Sequence, residues 1–157
     1  MLHPAMAHFA VSLPIITMIL GFAYLYKQNE LMSKLFSTFF IFAAIFMIAA
    51  YFTGKHDGGE VYILLTDAGK QELSFHKDLG TYLAIAMGIG AVISFYGFYK
   101  KNFKVEVFAV LFVAILAFAT LYQGKEGGEL VYQHGANVAK HSDGMDCLED
   151  PEFFIGE

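Results

Sequence analysis

The stretch LFSTFFIFAAIFMIAAYFTG, residues 35–54, decides the fold of this protein. It contains no charged residue and is dense in Phe, Ile and Ala. About 17–25 such residues are enough to cross the hydrocarbon core of a bilayer as one helix. A soluble helix of this length would need a charged face. The stretch therefore predicts a transmembrane helix rather than a buried helix of a soluble bundle.

Three further stretches have the same character. They cover residues 9–26, 79–99 and 107–124, and none of them contains a charged residue. Of the whole 157-residue chain, 57% is hydrophobic and 16% is charged, whereas soluble proteins average about 25% charged residues. We therefore expect an all-α integral membrane protein, a four-helix bundle with up-down-up-down topology.

The segments between the predicted spans alternate in charge. Residues 27–34 and 100–104 are short and contain five lysines, whereas residues 55–78 and the tail from residue 125 are net acidic. The positive-inside rule keeps short lysine-bearing loops in the cytoplasm, so both termini are predicted to lie outside. The net charge of −5 argues against a nucleic-acid partner. No nucleophile or hydrolytic constellation is present, so we predict no catalytic residue and favour an electron carrier or redox subunit over an enzyme.

An internal repeat organises the chain. The segment GKHDGGEVY at 54–62 recurs as GKEGGELVY at 124–132, so that Gly54 corresponds to Gly124 and Tyr62 to Tyr132. A helical hairpin used twice in the same orientation explains this recurrence. We expect repeat units at about residues 3–66 and 71–138 within a transmembrane domain of residues 1–139, followed by an acidic external tail, 140–157. The Gly-Gly pairs predict helix ends.

All six histidines fall at one end of the predicted bundle, the end that carries both termini. The leading pair is His8 and His76. They are separated by nearly the same offset as the two glycine-rich segments. Ser74 is the predicted N-cap of the helix that contains His76. One turn beyond each histidine stands a small residue, Ser12 or Gly80, which leaves room for a flat ligand. The first and third helices are diagonal in such a bundle, with axes about 11–14 Å apart. Two imidazoles facing each other across that distance could grip one metal atom.

The predicted cofactor is haem b, because a haem iron needs only two axial nitrogens from the protein. One haem bound by His8 and His76 is expected, or two if His3 and His134 ligate a second. For His3 and His134 a supporting role is favoured over ligation of a second haem. Two other readings stay open. The same histidines with Glu60, Glu129 or methionines could bind a transition metal without porphyrin, or the chain could be a cofactor-free accessory subunit of a respiratory membrane complex.

The opening His3-Pro4-Ala5-Met6-Ala7-His8-Phe9 resembles that of the bacterial membrane proteins catalogued as domain of unknown function 2231. GGELVYQHGANV at 127–138 also resembles that family's closing motif, and the likeness covers roughly residues 3–138. Relatives are sometimes joined to Rieske or c-type cytochrome domains. The resemblance implies redox work at the outer surface of the bacterial inner membrane, with motif histidines His3, His8, His76 and His134. We expect a quinol donor, a soluble or membrane redox partner, and assembly as a homo-oligomer or within a larger complex.

Overall fold

The computed structural model describes residues 2–136, and within them it contains four helices and no strand. The helices are α1 (His3–Tyr26), α2 (Glu30–Tyr62), α3 (Asp67–Lys100) and α4 (Phe103–Tyr132). Each is long and apolar enough to cross a membrane. The prediction of an all-α fold with four such helices is confirmed. The predicted acidic tail, 140–157, lies outside the described residues.

Asparagine caps both helices that follow a short lysine-bearing loop. The side chain of Asn29 accepts a hydrogen bond from the backbone N–H of Met32 at 2.9 Å, and Asn102 accepts one from Val105 at 3.4 Å. Such a cap satisfies one of the free N–H groups in the first turn of a helix. Consequently α2 and α4 begin at equivalent points. We call the sequence offset that maps Asn29 onto Asn102 the helix register.

The buried positions repeat in the helix register. The seven buried positions of α2 from Ser33 to Met47 each have a buried counterpart in α4, between Glu106 and Thr120. All five buried positions of α1 likewise match buried positions of α3. The buried positions of the first hairpin, α1 and α2, therefore recur in the second hairpin, α3 and α4. The offset between the glycine-rich segments, and that between His8 and His76, is slightly shorter than the helix register. In the helix register Gly54 corresponds to Gly127 and not to Gly124.

The helices form a ring in which α1 and α3 each pack against both α2 and α4. Small residues let the backbones approach closely, as at Gly90, where a Cβ atom would collide with the ring of Phe40. Many large apolar side chains instead point away from the interior, including Ile19, Phe42 and Ile85. An apolar outer surface around an interior rich in small residues is what a lipid environment favours.

Three predicted helix boundaries are wrong. The Gly-Gly pairs lie inside α2 and α4 rather than at their ends. Helix α3 starts at Asp67, where Thr66 accepts a hydrogen bond from the Gly69 N–H at 3.3 Å, and not at Ser74. The helices continue past the apolar spans because their extensions pack on one another, with Leu73 among the side chains of a small second core (Val61, Leu65, Leu130 and Ala136).

Candidate cofactor site at the histidine end

The imidazole rings of His3 and His76 lie together at one end of the bundle. Their centroids are 6.5 Å apart and their planes are at 85°. His3 opens α1, and His76 is the tenth residue of α3. Because α1 and α3 are separated by α2 and α4 in the ring, the two imidazoles meet across the bundle. We call this region the histidine end and define it by His3, Gly54, His76 and Gly127.

Each ring rests against a glycine of a neighbouring helix. A Cβ atom at Gly54 would lie 2.8 Å from Cε1 of His3, and one at Gly127 would lie 3.1 Å from Cε1 of His76. A side chain at either position would press on the ring. The two contacts are equivalent in the helix register. The glycines therefore leave space for the imidazoles between the helices. The sequence analysis had assigned that role to Ser12 and Gly80.

His3 is held in one tautomer. Its Nδ1 lies 2.9 Å from the carbonyl oxygen of Ala50. A carbonyl oxygen only accepts, so Nδ1 carries the proton and Nε2 of the neutral ring keeps a lone pair. Metal-binding histidines are commonly oriented by a hydrogen bond of this kind from the other ring nitrogen.

Asp57 fixes the backbone that carries His3. Its Oδ2 accepts hydrogen bonds from the N–H groups of Leu2 and His3, at 3.2 Å and 3.1 Å. Charge-assisted bonds to the free N–H groups of a first turn stabilise a helix start. The hydrogen bond from the His3 N–H lowers the pKa of Asp57 below its usual range. The carboxylate is therefore charged at neutral pH and anchors α1 to α2.

His76 lies just before the apolar span 79–99, and its Nδ1 is buried without a hydrogen-bond partner among the described residues. Burial, reinforced by the nearby His3, lowers the pKa of His76 to about 4. The ring is thus neutral at pH 7, which is the form that binds metals. Gln123 donates from Nε2 to the His76 carbonyl oxygen at 2.8 Å and so joins α4 to α3.

Three glutamates gather near His76. One carboxylate oxygen each from Glu72, Glu126 and Glu129 lies within 4.8 Å of the others. Lys125 places its Nζ 2.8 Å from Glu129 and 3.7 Å from the buried Glu126. The hydrogen bond between Glu72 and Glu126 raises the pKa of Glu72 and lowers that of Glu126. Sequence reasoning singled out Glu129 but missed the other two, because Glu72 and Glu126 come together only when α3 packs on α4.

The structure does not bring His8 together with His76. His8 is exposed, and its Nδ1 bonds to the Pro4 carbonyl oxygen at 2.6 Å. Ser12 is exposed as well and donates to the His8 carbonyl oxygen at 2.7 Å. His8 follows His3 by five positions, which turns the two side chains about 140° apart around the helix. Only His3 therefore faces His76.

Gly80 and His134 are near the site but have other neighbours. A Cβ atom at Gly80 would lie 3.2 Å from Nε2 of Gln123, so this glycine makes room for the amide rather than for a flat ligand. His134 packs its Cβ against Gly69 at the start of α3. Glu60 is exposed, 4.0 Å from the exposed His56.

A second cluster of buried polar groups lies at the opposite end of the helices and was missed by the sequence analysis. The carboxylate of Glu106 accepts hydrogen bonds from the Tyr24 hydroxyl, at 2.5 Å, and from the Ser33 hydroxyl. A Cβ atom at Gly97 would lie 2.8 Å from Cγ of Glu106. All four helices meet here, next to the loops that carry Lys27 and Lys101. We call this region the lysine end and define it by Tyr24, Ser33, Gly97 and Glu106.

These features define a class: a bundle of four membrane-type helices with two imidazoles brought together at one end. Comparison of the chain with family models, curated proteins and solved structures finds no match.

Proposed function

We propose that the chain is a multi-pass protein of the bacterial inner membrane, with its four helices running up-down-up-down. The contacts support this topology, because Tyr24 and Ser33 both bond to Glu106 at one end, while His3 meets Gly54 at the far ends of the same two helices. The apolar outer surface supports insertion. Short lysine-bearing loops at the lysine end support a cytoplasmic location for that end, with the histidine end outside.

The protein in this proposal holds one haem b through His3 and His76 and passes electrons between a membrane donor, such as a quinol, and a redox partner. The observation that carries the proposal is the meeting of these two imidazoles across the bundle, 6.5 Å apart. His3 and His76 would hold the haem through their imidazole nitrogens. A bound haem supplies one-electron chemistry, and the chain supplies ligands and position.

The residues around the pair fit this role. The Ala50 carbonyl fixes the tautomer of His3, Asp57 anchors its backbone, and the Nδ1 of His76 has no other partner within the described part of the chain. Because Gly54 and Gly127 have no side chain, α2 and α4 leave space for the rings of His3 and His76. One haem is favoured over two, because His8 and His134 lie in separate surroundings. The resemblance to the family of unknown function 2231 agrees with redox work at the outer face.

An absorption spectrum of the detergent-purified full chain tests the proposal. The oxidised and dithionite-reduced spectra, with a pyridine haemochrome assay, should show one low-spin b-type haem per chain. His3→Ala and His76→Ala should each abolish the low-spin spectrum, whereas His8→Ala, on the exposed face of the same helix as His3, should leave it unchanged. A colourless protein after expression with ample haem, or an unaltered spectrum in His76→Ala, would overturn the assignment.

A second candidate function is a metal site without porphyrin. It is favoured by the oxygen cluster of Glu72, Glu126 and Glu129, since carboxylate oxygens suit several divalent metals. Metal analysis of the purified protein separates the two, because this candidate predicts a bound metal without haem that is lost in Glu126→Gln. A protein with neither haem nor metal would point to the accessory-subunit reading.

A further inference from the structure

A cavity opens at the lysine end beside Glu106. Its volume is about 250 Å³, which lies below the range of about 300–1,000 Å³ that is usual for pockets holding a whole drug-sized ligand. Residues from all four helices line it, among them Tyr24, Ser33, Phe98 and Glu106. A cavity of this size suits a small polar group rather than a complete cofactor.

The cavity lies at the depth of lipid headgroups. Glu106 directly precedes the uncharged span 107–124, and Ser33 stands two positions before the span 35–54. Tyr24 and Phe98 are each two residues from the end of their helix. The lining thus comes from helix ends, which is where a spanning helix meets the polar region of a bilayer. The assignment of this depth rests on the membrane insertion that forms part of the proposed function.

The lining of the cavity carries both signs of charge. Glu30 and Glu106 contribute carboxylates, and Lys101 contributes an ammonium group. Lys101 and Glu30 are both largely exposed, with 3.8 Å between Nζ and the carboxylate oxygen. An exposed ion pair of this kind contributes little to stability, because water screens it. Either side chain can therefore exchange its partner for a charged group of a ligand at little cost.

The Glu106 carboxylate has capacity left to accept hydrogen bonds. The side chain is 3% exposed, and the donors that reach its two oxygens are the hydroxyls of Tyr24 and Ser33. An ionised carboxylate offers about four acceptor sites. Hydrogen bonds from a cationic donor are the stronger kind and stabilise a buried carboxylate. Because Glu106 borders the cavity, a cationic group that enters the cavity comes next to it.

We propose that this cavity binds the headgroup of a phospholipid that carries a primary ammonium group. The ammonium enters the cavity and donates hydrogen bonds to Glu106 and Glu30, while the phosphate stays at the rim beside Lys101. A headgroup that is only anionic brings no cation for the two carboxylates. A trimethylated ammonium group has no N–H to donate. The primary ammonium and the phosphate together match the charges that line the cavity.

Native mass spectrometry of the purified full chain in detergent tests the site. Phosphatidylethanolamine, phosphatidylcholine and phosphatidylglycerol with identical acyl chains are titrated separately, and the lipid-bound fraction gives each dissociation constant. We expect phosphatidylethanolamine to bind about tenfold more tightly than phosphatidylcholine, since only its ammonium donates hydrogen bonds to a carboxylate. Equal affinities for these two lipids, or tighter binding of phosphatidylglycerol, overturn the proposal.

Two substitutions separate the roles of the charged groups. Glu106→Gln should remove the preference for phosphatidylethanolamine over phosphatidylcholine. Lys101→Gln, at an exposed position, should weaken both lipids about threefold, because both carry the phosphate. Lys100→Gln is the matched control, since it removes the adjacent lysine, which does not line the cavity. A preference that persists in a folded Glu106→Gln, or affinities that Lys101→Gln leaves unchanged, would contradict the proposed contacts.

The source of the headgroup and the proposed function are tested separately. Glycerophosphoethanolamine is the same headgroup without acyl chains and should bind much more weakly, because it cannot pack on the apolar outer surface. An affinity equal to that of the lipid would overturn the lipid assignment. The haem spectrum reports on His3 and His76 at the other end of the bundle. A colourless protein that still prefers phosphatidylethanolamine would therefore support this site while contradicting haem binding.

Discussion

The histidine end and the lysine end use the same internal repeat in opposite ways. At the histidine end the equivalent positions of the helix register carry the same residues, since His3 matches His76 and Gly54 matches Gly127. At the lysine end the equivalent positions differ: Tyr24 matches Gly97, and Ser33 matches Glu106. One end keeps the symmetry of the two hairpins, and the other breaks it.

The difference has a chemical meaning. At the histidine end each hairpin contributes an identical imidazole, and the two rings meet across the bundle. At the lysine end a single carboxylate is surrounded by hydroxyl groups from the other hairpin, with Gly97 providing its space. The contrast separates a symmetric pair of imidazoles from a single buried carboxylate, and three changes test it.

The largest effect is expected for Glu106→Ala. It leaves the hydroxyls of Tyr24 and Ser33 without their acceptor, and each buried unsatisfied group costs about 1–3 kcal/mol. We expect the free energy of unfolding to fall by about 3 kcal/mol in denaturant titrations in detergent. Glu106→Gln retains an acceptor oxygen and should lose less. A loss below about 0.5 kcal/mol for Glu106→Ala would mean that the lysine end does not hold the helices together.

A smaller effect is expected for Gly54→Ala. The new methyl group would lie 2.8 Å from the His3 ring, which cannot withdraw freely because Ala50 and Asp57 hold it. Overpacking of this kind costs about 1–3 kcal/mol, and the haem content should fall with it.

Gly59→Ala is the matched control for Gly54→Ala in the same helix. Nothing lies within 4 Å of the position of its new methyl group. Alanine is favoured over glycine inside a helix by about 0.5–1 kcal/mol, so this variant should be slightly more stable, with unchanged haem content. If the two variants behaved alike, the contact between Gly54 and His3 would have no role in stability.

The smallest effect is expected for Asp57→Asn. The folded pKa of Asp57 is lowered, so its contribution is present above the unfolded pKa and is lost as pH falls through the folded value. At pH 7 the substitution should cost about 1.5 kcal/mol, as expected for hydrogen bonds to a charged group. The difference between the two proteins should vanish in strong acid. Unfolding followed by circular dichroism between pH 7 and pH 2 measures it, and a pH-independent difference would contradict the ionic role.

The four helices and the clustering of histidines could be predicted from the sequence, because uncharged runs and hairpin connections leave few arrangements. The partner of His76 could not. The offset between the two glycine-rich segments selected His8, whereas the helix register, set by the helix starts after Asn29 and Asn102, is longer and selects His3. The two capping asparagines were the signal that would have corrected the register.

Glu106 was missed for a different reason. A scan for uncharged stretches treats a charged residue as the end of a span, so it began the fourth span at residue 107. In the structure Glu106 starts the buried face of α4 that continues through Ala109, Val110 and Val113. Helical spacing toward the interior, rather than charge alone, identifies it as an inward-facing residue.

The broken symmetry at the lysine end also bears on how such a chain could arise. An ancestor of half this length, pairing as a homodimer, would already place two copies of His3 together at its two-fold axis. The same ancestor could not carry Glu106 in place of Ser33, because two buried carboxylates would then share one interior and repel each other. A glutamate at this position is compatible with the bundle only where the two hairpins differ in sequence. The histidine pair needs no such difference, whereas the single carboxylate does.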